Sequence, residues 1–155
     1  MQTNDPVAAG LHSVLQTSYS LFLVEHNYHW NIEGSKFVSL HALFEEQYNE
    51  LFQAIDAVAE RMRALDSYAS AFDDGTVMTA MSKLPNPLEE VKSAEKRATM
   101  MVQNLIKLND VVIDACKDAK DAASEANDNE TEDLLIGRIT THQQNNWMLK
   151  SVIKE

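Results

Sequence analysis

Apolar residues recur every three or four positions over four long stretches of the chain, the spacing of amphipathic α-helices. The first stretch opens at Asp5-Pro6, where Asp5 suits an N-cap and Pro6 the first helical position, at which its missing N–H costs nothing. Leu11, Leu15, Ser18, Phe22, Glu25 and His29 carry it to about Glu33, and Gly34 supplies a left-handed residue to close it. A second helix is predicted from Ser35 or Lys36 to Leu65, with Phe37, Leu40, Phe44, Tyr48, Leu51, Ile55, Val58 and Met62 as its core stripe. The third has its start signal at Asn86-Pro87-Leu88-Glu89, a cap, a proline and an acid, and runs to about Ala122. Val91, Ala94, Ala98, Met101, Leu105, Leu108, Val112 and Ala115 form its buried face, with Cys116 beside it. The last spans about Thr131 to Ile153, capped by Asp128 or Asn129, with Leu135, Ile139, His142, Asn146, Leu149 and Ile153 on one side and Trp147 nearby.

Residues 66–87 join the second and third helices. Asp73-Asp74-Gly75 and Pro85-Asn86-Pro87 bracket a TVMTAMSKL segment. A connection this long inside a compact bundle carries structure of its own, so a short helix across the bundle surface is predicted there. The pattern therefore gives an all-α single domain over residues 1–155, a four-helix bundle whose long crossover is of the ferritin-like kind, with a short extra helix in that crossover.

Composition narrows this further. Four Gly and three Pro are too few for the tight turns of an all-β protein and suit long helices joined by short loops. One cysteine excludes an intrachain disulfide and fits a reducing cytoplasm. The first ten residues have neither a basic nor an apolar leader region, and no run approaches 18 consecutive uncharged apolar residues, so no membrane association is expected. The net charge of −11 repels phosphate backbones and attracts cations. The main basic cluster, Lys92, Lys96 and Arg97, is interleaved with Glu95 and reads as a solvated helix face, so DNA binding is expected to be weak or absent.

Candidate chemistry concentrates in residues 29–61. At about 100° per residue, His41, Glu45, Asp56 and Glu60 fall within a sector of roughly 100° beside the apolar stripe of the second helix. Yet His41 and Asp56 lie roughly 22 Å apart along the axis, too far for one metal ion. Antiparallel packing of this helix against its own copy removes the difficulty: a two-fold axis near Glu50 and Leu51, close to the outward Phe52, sets His41 opposite Glu60 and Glu45 opposite Asp56. Two equivalent sites would result. His29 reaches a height similar to that of His41 through the reversal at Gly34, and imidazole with carboxylates suits ferrous iron, zinc or manganese. The competing reading of Asp56, Glu60 and Arg63 is an exposed ion-pair face, and His12, His26 and His142 read as packing or surface residues.

The same residues, H-W-N-x-x-G-x-x-F-x-x-L-H-x-x-F-E-x-x-Y followed by D-x-x-A-E-R, resemble the Dps family of dodecameric mini-ferritins. The resemblance implies that His29, His41 and Glu45 ligate iron from one subunit while Asp56 and Glu60 do so from its two-fold partner. It implies a cytoplasmic ferroxidase that oxidises Fe²⁺ with hydrogen peroxide, or with O₂, and stores ferric mineral in a hollow homododecamer, with zinc or manganese as surrogate ions. Trp30 resembles the family's tryptophan near the iron, as an electron donor or as packing. Asp128 and Asp133 have the family's location for an ion entrance at the three-fold axis. Glu45 stands where the family commonly has Asp, and Ala64-Leu65-Asp66-Ser67-Tyr68 replaces a frequent Gly-rich turn. A non-catalytic, DNA-protecting stress protein with the same shell is the alternative. Ferritins proper build an intrabundle site from Glu-x-x-His pairs, which this chain lacks.

Overall fold

A computed structural model of the chain describes residues 5–70, 75 and 82–154. Its helices are α1 (Pro6–Asn31), α2 (Phe37–Ala64), α3 (Pro87–Glu90), α4 (Ala94–Glu125) and α5 (Asn129–Val152), with no strand among the described residues. The Asp5 carboxylate accepts from the Val7 amide at 2.9 Å and Pro6 begins the first turn, as the sequence predicts. Gly34 has φ +98°, but it lies beyond an extended Ile32 rather than directly at the helix end.

The third helix departs from expectation. Asn86 caps a single turn, Pro87–Glu90, and the long helix begins only at Ala94, with Ser93 accepting from the Lys96 amide. Two contacts hold the short turn in place. The Glu90 carboxylate folds back onto the Asn86 amide at 2.8 Å, and Asn104 Nδ2 donates to the Pro85 carbonyl at 2.9 Å, pinning that stretch against α4. Most of the TVMTAMSKL segment, residues 76–81, lies outside the described residues.

The bundle packs in the order α2, α1, α4, α5: α1 lies against both α2 and α4, and α5 against α4. Leu11, Leu15, Leu21, Leu40, Phe44, Leu51, Met62, Met101, Leu105, Leu135 and Leu149 are fully buried at its centre. Burial of a large aliphatic or aromatic side chain contributes about 1.5–3 kcal/mol, so this core dominates the stability of the fold. Gly10 allows α1 and α4 to approach closely, since a Cβ there would stand 2.8 Å from Ala119 Cβ and 2.9 Å from its Cα. By length and composition α1 would qualify as a membrane span, yet 61% of its most apolar window is buried inside the bundle, which accounts for its hydropathy.

Helices α2 and α5 touch only lightly, and long polar side chains bridge them. Arg138 of α5 pairs with Glu50 of α2. Nearer the other end, Arg61 donates to Asp128 at 2.7 Å and to the Thr131 hydroxyl at 2.8 Å. The hairpin between α1 and α2 is fixed from outside as well. Glu95 of α4 accepts from the Ser35 amide and hydroxyl at 2.9 and 3.0 Å, and Lys36 Nζ donates to the Val152 carbonyl at 2.6 Å.

Candidate metal centre

The hairpin brings His29 and His41 into contact. Their rings stack at 3.8 Å between centroids and 19° between planes. The hydrogen bonds are reciprocal: His29 Nδ1–H donates to the His41 carbonyl at 2.9 Å, and His41 Nδ1–H donates to the His29 carbonyl at 2.8 Å. A carbonyl oxygen only accepts, so each Nδ1 carries a proton, and the tautomer this selects puts the ring's one lone pair on Nε2. This is how a metal-ligating histidine is oriented by a partner behind it. The pair is also confined sideways, by Tyr48 edge-on to His29 at 5.3 Å and by Phe37 stacked on His41 at 5.0 Å. His29 is buried and His41 half-buried.

The carboxylates are arranged differently. Glu45, one turn beyond His41, is exposed, as are Asp56 and Glu60 further along α2. Among the described residues no group of three or more His, Cys, Asp or Glu side chains of one chain is placed to hold a metal. A single chain therefore joins the two histidines and keeps Asp56 and Glu60 away from them.

Around the pair lies an uncovered apolar surface. Trp30 is 63% exposed, with its ring 4.2 Å from that of His26, so within the chain its indole does not pack into the core. Tyr19, Leu23, Phe37 and Phe52 are also exposed, and Phe52 contacts Phe22 at 5.8 Å. The sequence reads His26 as a packing or surface residue and Tyr48 as core; in the structure Tyr48 joins His26 at 4.7 Å to His29. The available signal was Tyr48's position two turns from His41 on the same helix.

Of the entrance candidates, Asp133 is exposed. Asp128 has its carboxylate committed: it caps α5 at the Thr131 amide (3.0 Å), accepts from the Thr131 hydroxyl (2.6 Å) and pairs with Arg61. Burial pushes this carboxyl up, but the Thr131 contacts and Arg61 together outweigh it and hold it below its ordinary value.

The ferritin-like domain family matches residues 8–155. The chain is 36% identical to a low temperature-induced protein of Nostoc over 145 residues, covering 93% of this chain and 78% of that protein. It is 32% identical to DNA protection during starvation protein 1 of Deinococcus radiodurans, covering 96% of this chain and 69% of the other. The crystal structure of Dps from Staphylococcus aureus superposes with a TM-score of 0.83 at 28% identity, over 100% of this chain and 99% of that one.

Proposed function

The chain belongs to the Dps family of ferritin-like proteins, and on that premise we propose that it oxidises Fe²⁺ at sites shared between two subunits and stores the ferric product in a hollow dodecameric shell. His29, His41 and Glu45 of one subunit form half of each site. Asp56 and Glu60 of the partner subunit form the other half. The observation that carries this reading is the reciprocal histidine pair, with neither Nε2 hydrogen-bonded among the described residues, beside an exposed apolar face of α1 and α2. Such a face is what a two-fold partner would cover.

Iron here is the substrate. One hydrogen peroxide takes one electron from each of two ferrous ions and, with two protons, leaves as two waters, so no hydroxyl radical is released. Imidazole binds ferrous iron readily, and the anionic carboxylates favour the higher charge of the ferric product. The acidity of the chain concentrates cations, and the exposed Asp133 is the better placed of the two entrance candidates. Trp30, exposed beside His29 in sequence and touching His26, suits an electron donor that absorbs a stray oxidising equivalent. The name of the Deinococcus relative favours DNA protection. We infer that protection here acts through iron withdrawal, because a net charge of −11 opposes DNA binding. A tight, salt-sensitive gel shift would overturn that inference.

The direct assay adds Fe²⁺ anaerobically to the assembled protein and follows ferric absorbance after peroxide. His41→Ala should slow oxidation at least about tenfold, the lower end of what loss of even an outer partner of a metal ligand costs. Equal rates in the parent and the variant would remove the site assignment.

A further inference from the structure

A second polar cluster lies between the helices next to the shared half-site, with every member but Glu50 buried. Its centre is the Arg138 guanidinium, 7% exposed, which binds both carboxylate oxygens of Glu50 from α2. The same group donates to His142 Nε2 at 2.9 Å. His142 Nδ1–H in turn donates to Asn109 Oδ1 of α4 at 2.7 Å, and Asn109 Nδ2 is held by the Leu105 carbonyl. Helix α1 contributes Glu25, fully buried, with neither carboxylate oxygen partnered. Helix α2 adds Gln47, 2% exposed, with neither amide atom partnered. The contacts His29–His41, Phe22–Tyr48 and Phe22–Phe52 fix the register of α1 and α2, and by that register Gln47 stands within about half a turn of Glu25.

Two carboxylates, an imidazole nitrogen and an amide, drawn from three helices, make the donor set of a first-row metal site. Ferritin-like di-iron bundles assemble such donors at this kind of interior position. The residues here do not fit that centre. No Glu-x-x-His pair occurs, and the Glu50 carboxylate and the His142 Nε2 lone pair are already taken by a guanidinium, whose charge cannot be lost. Glu25 fits the same picture: burial and the nearby Glu50 push its carboxyl well above the usual range, and the pull of Arg138 does not offset them. It is a donor with no cation of its own.

We propose that Arg138 is a built-in cation that fills the interior metal position of each bundle and bars divalent metal from it, leaving Glu25 and Gln47 as the donors it does not use. The interior is thereby sealed, and metal chemistry is confined to other surfaces of the protein.

Cobalt(II) titration of the full assembly, read by its visible absorption and by bound metal per chain, tests this. Arg138→Met should bind one more Co²⁺ per chain than the parent, with the absorption of nitrogen and oxygen ligands, and adding Glu25→Gln should abolish the gain. Glu50 is 43% exposed, so losing Arg138 leaves it solvated rather than stranded. No gain in Arg138→Met, or a gain that survives Glu25→Gln, overturns the proposal. Glu25→Gln alone, which removes only an unpartnered group, provides a second arm should Arg138→Met fail to assemble. It should leave the Co²⁺ count of the parent unchanged, and loss of one ion per chain would show that the interior already admits metal. All variants retain His29, His41, Glu45, Asp56 and Glu60, so these differences are readable whether or not the shared site proves to oxidise iron.

Discussion

His142 makes a quantitative prediction about acid. Its ring is fully buried, and burial, reinforced by the charge of Arg138, pushes its pKa down from 6.5 to about 3. The unfolded chain therefore binds a proton that the folded chain refuses throughout that window. The sign follows: stability from this group is complete above pH 6.5 and is lost as pH falls towards 3. At about 1.4 kcal/mol per pH unit, acidification from pH 7 to pH 5 removes about 2 kcal/mol per chain. Glu25 opposes this, because a carboxyl raised by folding contributes stability at low pH that is lost as pH rises through its folded value. A single acid titration of the parent would mix the two, so the comparison is with His142→Gln. Glutamine is neutral at both pH values and keeps an acceptor for Arg138 and a donor for Asn109. Denaturant unfolding at pH 7 and pH 5, at fixed protein concentration, should show the parent losing about 2 kcal/mol more than the variant. Glu25, Glu50 and the other carboxylates are common to both chains and cancel in that difference. Equal losses would refute the neutral, buried assignment of His142.

Two further tests concern the fold and the route of iron. Gly10→Ala forces a methyl to within 2.8 Å of Ala119 Cβ and 2.9 Å of its backbone Cα, which cannot yield as a flexible side-chain tip would; calorimetry should show a loss of about 1–3 kcal/mol despite the gain in helix propensity. Gly137→Ala, with nothing within 4 Å, should instead gain up to about 1 kcal/mol. Asp133→Asn should slow iron uptake with unfolding unchanged, whereas Asp128→Asn should also weaken the chain by about 1 kcal/mol through its cap and Arg61; stopped-flow uptake and thermal unfolding measured together separate the two.

Much of this was legible in the sequence because it depends on local periodicity. Helical spacing located α1, α2 and α5 to within a few residues, and residue type pointed to the Asp5 cap and to Asp128 as one of two candidates for the last. Asn86-Pro87 misled because a start signal fixes where a helix begins and not how far it runs. Ser93 caps the long helix anew, and Asn104 holds Pro85 across nineteen residues, a contact that no local pattern shows. For His29 and His41, spacing around the Gly34 reversal gave their proximity, while the reciprocal carbonyl bonds that set each Nε2 free required backbone geometry. Glu25 and His142 were visible only as polar members of largely apolar stripes: Arg138 stands one turn from His142 on the same helix, but Asn109 and the charged groups near Glu25 come from other helices. Arg61 belongs to the motif that carries the family resemblance, yet its role here is to tie α2 to the cap of α5.

If neither chain holds a complete site, mixing two defective subunits restores activity. His41→Ala and the double variant Asp56→Ala/Glu60→Ala should each be inactive in peroxide-driven Fe²⁺ oxidation, since one lacks the histidine half of every site and the other the acidic half. Unfolded together and reassembled, they should form mixed pairs in which one of the two sites receives intact residues from both chains. Random pairing makes about half of all pairs mixed, so about a quarter of the parent activity should return. A mixture that remains as inactive as its components, while assembling into particles of parental size, would contradict a site shared across the two-fold axis.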